Sequence, residues 1–147
     1  MIQKLKQMWK KAADSPQQER QHSVALAVAA LMVEIMRMDG QLQDAERREM
    51  MLRLESRFGL SESEIHLLIE QATKDVHEAL DMHQFTSVVV NSFTTQERVH
   101  ILTELWAVAW ADGHVDPYEE QLIRRIADLM GLHHSQFIHA KIIAGIT

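Results

Sequence analysis

Seven carboxylates gather around two Asp-Gly dipeptides. Asp112, Asp116, Glu119 and Glu120 fall within residues 112–120, and Asp39, Asp44 and Glu46 within residues 39–46. Calcium, magnesium and manganese take several hard oxygen ligands, and turns between helices supply them. The spacing is not that of an EF-hand, whose glycine stands sixth and whose last glutamate stands twelfth. Here the glycine is second and the glutamate eighth. The same residues also read as helix punctuation. Gly113 would end one helix, and Asp116-Pro117-Tyr118-Glu119 would open the next as N-cap, N1, N2 and N3. Acids in a first turn suit the helix dipole. In the first turn Gln43 is a poor cap, but Glu46 keeps the N3 role. Both chemistries are open on these residues: a divalent cation such as calcium or manganese, or capping alone.

Two other sets could hold a metal. Glu19/His22 and Glu97/His100 are Glu-x-x-His pairs, the type that di-iron helical bundles draw from two of their helices. They sit 78 residues apart, near the starts of their helices, and the apolar stretches that would face the metal offer only Glu104. A di-iron bundle enzyme is therefore a minor alternative. His133, His134 and His139 do not share a helical face, because helix neighbours fall three or four apart. They read as surface residues. With no cysteine there is no thiol nucleophile, no disulfide and no Cys-bound zinc. No nucleophile elbow, P-loop or Rossmann glycine pattern is present, so no enzymatic activity is expected and no catalytic residue is assigned.

The elements that must position these residues repeat. Asp39-Gly40, Leu42 and Glu46 match Asp112-Gly113, Val115 and Glu119 at an offset of 73, and Gly59-Leu60 matches Gly131-Leu132 at 72. Glycine beyond a helix end takes the left-handed conformation without a Cβ penalty. Capping boxes Ser61-x-x-Glu64 and Thr94-x-x-Glu97 open two more helices. The expected helices are 2–13, 16–38, 44–58, 62–80, 83–92, 95–111, 117–130 and 134–144. Residues 83–92 include a β-branched run, but Phe85, Val88, Val89 and Phe93 keep helical spacing and a lone strand has nothing to pair with. The fold class is all-α, a single-domain bundle of seven to eight helices. Two pseudo-symmetric repeats, about 16–80 and 95–144, each run helix, Asp-Gly, helix, Gly-Leu, helix. A basic amphipathic N-terminal helix in residues 1–14 precedes the main domain, 15–147. Helices 16–38 and 95–111 are apolar nearly all round, so they should be central and pack on each other.

Composition bounds the rest. The 147 residues carry a net charge of −6, split as +4 over residues 1–13 and −10 over the remainder. An acidic body repels a phosphate backbone, so nucleic acid is not the expected partner. The longest apolar run, Val24 to Val33, is too short for a membrane span. No signal peptide stands out, which points to the cytoplasm. Lys4, Lys6, Lys10 and Lys11 opposite Ile2, Leu5, Met8 and Trp9 could make weak membrane-surface contact, or dock back on the acidic body. Trp106 and Trp110 share a face and read as core or interface. Met32, Met36, Met38, Met50 and Met51 would fill a core or line a groove for a partner helix. Such surfaces would also serve a homodimer.

The stretch Leu105-Trp106-x-Val108-Ala109-x-Ala111-Asp112-Gly113 through Glu119 to Arg124-Arg125-Ile126-Ala127-Asp128-Leu129 resembles the TerB-like tellurite-resistance family, in an uncharacterised bacterial branch. The resemblance covers residues 22–143. It implies an all-helical, internally pseudo-symmetric fold and a bacterial cytoplasmic protein linked to tellurite or other stress. It also implies partnership with other proteins, since a related domain is attached to a membrane-anchored DnaJ-type co-chaperone. For the family the acidic turns have been suggested as a divalent-metal site, and no enzymatic activity comes with it. This copy departs from the pattern in its first repeat, with Met38 opposite Ala111 and Gln43 opposite Asp116. The expected function is a non-enzymatic, stress-linked protein-interaction module, with a divalent-metal sensor or buffer as the alternative.

Overall fold

A computed structural model describes residues 16–37, 44–79 and 81–146. The expected helix 2–13, and Asp39, Gly40 and Gln43 of the first turn, lie outside the described residues. Seven helices and no strand occur among those that are described: α1 (Pro16–Arg37), α2 (Asp44–Phe58), α3 (Glu62–Glu78), α4 (His83–Ser92), α5 (Thr95–Trp110), α6 (Pro117–Leu129) and α7 (His134–Ile143). The expected ends of these elements hold to within two residues. The expected helix 62–80 stops at Glu78 because Ala79 turns extended, at φ −74° and ψ 142°. The β-branched segment is helical, with Phe85 and Val89 turned into the core.

The helix starts follow from their caps. Ser61 Oγ accepts from Glu64 N at 3.3 Å while Ser61 N donates to Glu64 Oε1 at 3.1 Å. Thr94 and Glu97 repeat this at 3.2 and 2.9 Å. Each box satisfies two backbone donors that a helix start otherwise leaves open. At the other end, Leu132 N donates to Ala127 O and Gly131 N to Asp128 O, both at 3.0 Å, closing α6 with a Schellman pair. This geometry needs Gly131 at φ +74°, and Leu132 then drops into the core.

The core is centred on α1 and α5. From Ala27 to Val33 every residue of α1 is buried, as is all of Ile101–Trp106 on α5. A helix buried around most of its circumference must be covered by others. Accordingly α1 packs on α2, α3, α4, α5 and α6, and α5 packs on α1, α2, α4, α6 and α7. Met32, Met36 and Met50 are fully buried core filling, so they line no open groove. Trp106 is buried against Phe137, with ring centroids 5.2 Å apart. Trp110 is half-buried at the end of α5.

Candidate functional site

The Asp112–Glu120 turn leads from α5 into α6. Gly113 takes φ +83° and its N–H donates to Trp110 O at 2.7 Å, which lets the chain leave the helix sharply. Asp112 Oδ1 accepts from His114 N at 3.0 Å. Asp116 is the N-cap of α6: its Oδ1 accepts from Tyr118 N at 2.8 Å, and its own N–H donates to Glu119 Oε1 at 2.9 Å. Glu120 Oε1 meets Lys141 Nζ of α7 at 3.1 Å. Each acid of this turn therefore has a structural partner.

Glu119 is 1% exposed and Glu46 is 0% exposed. Each is the third residue of its helix, α6 and α2 respectively. Glu119 Oε2 and both Glu46 carboxylate oxygens are buried. Burying a carboxylate is costly unless it is hydrogen-bonded or paired, so these two positions hold the most demanding acids of the two turns. Asp44, by contrast, is exposed at the start of α2. Among the described residues no three His, Asp or Glu side chains converge as a metal-holding group.

Several large apolar side chains of α6 and α7 are exposed. Tyr118 is 67% exposed, Ile142 64% and Ile143 56%. The Glu120–Lys141 pair ties the first turn of α6 to the last turn of α7, the turn that carries these two isoleucines. Ile138, one turn earlier on α7, is also exposed. The Lys141 ammonium lies over the Trp106 ring, 5.3 Å from its centroid, so the same cation serves both Glu120 and the aromatic face.

The residues of the two Glu-x-x-His pairs do work of other kinds. Glu97 is exposed and closes the Thr94 capping box, and its carboxyl is held below the ordinary value first by the Thr94 backbone N–H, then by the Thr94 hydroxyl and the charge of Arg57. Glu19 is exposed at the start of α1, and His22 is half-buried one turn on. His100 Nδ1 lies 2.9 Å from Arg57 Nη2. His133, His134 and His139 are exposed, with the His134 ring tilted 5.7 Å from that of Phe137.

Sequence reasoning missed one constellation. Arg57, expected only as a dipole partner at the end of α2, donates from Nε to Glu104 Oε1 at 2.7 Å and from Nη2 to the same oxygen. Glu104 is 3% exposed in the middle of α5. This pair joins helices 47 positions apart in the chain. Its one sequence signal is a lone acid inside the apolar run Ile101–Trp110, which must find a cation.

The profile of the family described as tellurite resistance protein TerB matches residues 25–142, from the first turns of α1 to the end of α7. No curated protein and no solved structure matches the chain.

Proposed function

We propose that this chain, which belongs to the TerB tellurite-resistance family, is a non-enzymatic protein-interaction module linked to tellurite or related stress and acting in the cytoplasm. The observation that carries the reading is that Tyr118 on α6 and Ile142 and Ile143 on α7 are all exposed, on two helices that the Glu120–Lys141 pair joins. Uncovered apolar side chains rimmed by charge mark protein-interaction sites. Asp112 and Asp116 would supply that rim, steering a partner whose own rim is basic. No helix among the described residues is long and apolar enough to cross a membrane.

The same reading takes the chain as a duplicated unit. In support, α1 packs on α2 and α3 as α5 packs on α6 and α7, while the crossed pairs α2–α5 and α6–α1 also touch. The two buried glutamates then occupy equivalent places, 73 residues apart.

The test is complementation. In cells lacking the protein, the wild type should restore tellurite tolerance, whereas Ile142→Asp/Ile143→Asp should not, at equal abundance and melting temperature. Full restoration by the double variant would overturn the surface as the working site.

A second reading is favoured by the buried Glu46 and Glu119. In it Asp112, Asp116, Glu119 and Glu120, and Asp39, Asp44 and Glu46, hold a divalent cation such as calcium or manganese as sensor or buffer. A ligand that binds only the folded state, at about a hundred times its dissociation constant, adds about 2.7 kcal/mol. A melt in millimolar calcium or manganese should then rise several degrees over EDTA, and Glu119→Gln should abolish the rise. An unchanged melt removes this reading and leaves the first intact.

A further inference from the structure

A cleft of about 820 Å³ opens where the start of α1 meets the ends of α2 and α4. Small-molecule sites span about 300–1,000 Å³, so the cleft is of ligand size. Val24, Phe58, Leu60 and Phe93 supply its apolar lining. Phe58 and Phe93 are only partly covered, although both lie against the main core. None of the lining residues belongs to the acidic turn or to α7, so the cleft is separate from the surface of the function proposed above. We propose that it binds a small organic monocarboxylate, a molecule with an apolar body and a single anionic head.

The charge of the lining selects the head. Arg20 and Arg57 line the cleft, and among the described residues no Asp or Glu does. The chain beyond residue 13 carries −10, so a patch with two guanidiniums and no carboxylate is opposite in sign to the rest. The two arginines are not equivalent. Arg57 is engaged by Glu104 through Nε and Nη2, and Nη2 also meets His100 Nδ1. Arg20 is exposed and makes no ion pair among the described residues. One uncommitted guanidinium matches one negative charge, and its planar fork takes both oxygens of a carboxylate. A dianion would bring a second charge with no free cation to meet it.

The rest of the lining selects the body and its direction. Arg20 and Gln21 belong to α1, whereas Phe58 ends α2 and Phe93 follows the last residue of α4. The head therefore sits on the α1 side and the apolar body over the phenylalanines. Gln21 and Asn91 are exposed at the cleft, and their amides can donate to carboxylate oxygens. A molecule held in this way touches three helices, so it binds the folded chain alone and should raise its melting temperature.

Calorimetric titration of the full chain with decanoate, below its micelle concentration, tests the proposal. Decanoate should bind once per chain, and decyltrimethylammonium, with the same tail and the opposite charge, should not. Arg20→Glu reverses the free charge, and Ser92→Trp fills the cleft from another exposed lining position. Each should weaken decanoate about tenfold or more, the size of one hydrogen bond to a charged group, with circular dichroism unchanged. Ile142→Asp/Ile143→Asp should bind decanoate as the wild type does, whatever its effect on tellurite tolerance. Binding of 1-naphthoate in place of decanoate keeps the site and makes the body aromatic. Failure of both carboxylates to bind overturns the proposal. So does equal binding of decyltrimethylammonium, which would make the cleft merely apolar, or undiminished affinity in either cleft variant. Affinity lost in the isoleucine variant overturns it as well, because the carboxylate would then sit on α7.

Discussion

Two capping boxes, Thr94–Glu97 and Asp116–Glu119, use the same four-residue device, yet only one of them buries its glutamate. In both, the N-cap N–H donates to the N3 carboxylate at 2.9 Å. Glu97 is exposed to water, whereas Glu119 is 1% exposed. The cap bond is therefore not what requires Glu119 to be inside, because Glu97 makes it equally well on the surface. What differs is tertiary: the turn before α6 is drawn onto the body of the protein by the Glu120–Lys141 pair, and Met130 and Leu132 seal the far end of the same helix into the core. A local motif thus specifies where a helix begins, and the neighbouring helices decide how much its residues matter.

A third carboxylate extends the contrast furthest. Glu104 is as buried as Glu119 but is held by a cation, Arg57. Replacing Arg57 with Met keeps the stem and strands the charge, and breaking a buried pair on one side costs about 3–5 kcal/mol. Denaturant titration of Arg57→Met should show a loss of that size, and Arg57→Met/Glu104→Leu should regain much of it. A double variant no better than the single would mean that the pair is not coupled. Next in size is Glu119→Ala, which removes a buried carboxylate and leaves the part-buried Asp116 N–H without its acceptor, at about 1–3 kcal/mol. Glu97→Ala should cost clearly less. Equal losses at the two glutamates would mean that burial adds nothing to the cap.

Much of this was legible in the residues, and the gaps have a physical cause. Caps, glycines and periodicity are local signals, so the seven described helices agree with their expected places, including the β-branched α4. The strings Thr94-x-x-Glu97 and Asp116-x-x-Glu119 look alike because a capping box encodes backbone geometry and nothing about cover. Likewise the spacing of Asp112, Asp116 and Glu120 does not name their bonds to His114 N, Tyr118 N and Lys141 respectively. The Arg57–Glu104 pair spans two helices, and no pattern within either helix names its partner. The exposed Ile142 and Ile143 were equally hidden, since α7 is apolar enough to pass for a helix with its apolar side covered.

Glycine at the end of α6 tests the same distinction between local and tertiary terms. Gly131 sits at φ +74°, where an alanine costs about 1–2 kcal/mol from backbone strain alone. A Cβ there would also stand 3.3 Å from Arg98 Nη1, whose guanidinium donates to Met130 O. Gly59 has the same sign of φ, +65°, but no atom near its Cβ position. Gly131→Ala should therefore lower the melting temperature more than Gly59→Ala. Equal losses at the two glycines would mean that Arg98 gives way freely and that strain is the whole effect.

The smallest expected effect isolates the charge in the exposed box. The Thr94 backbone N–H, the Thr94 hydroxyl and Arg57 all favour the ionised form of Glu97, so its carboxyl titrates lower in the folded chain than in the unfolded one. The unfolded state then binds the proton first as pH falls. The stabilisation is fully present above the ordinary carboxylate value and is lost as pH drops through the lowered folded value. Glu97→Gln keeps an oxygen to accept from Thr94 N but carries no charge. Melting temperatures of wild type and Glu97→Gln should differ slightly at neutral pH and converge in acid, with the wild type the more stable above. Because the group is exposed, added salt should shrink the part of the difference due to Arg57 and leave the part due to the Thr94 bonds. Curves that stay parallel through the acid range would show that the cap works through its hydrogen bond alone. The contrast with Glu119 would then rest entirely on burial.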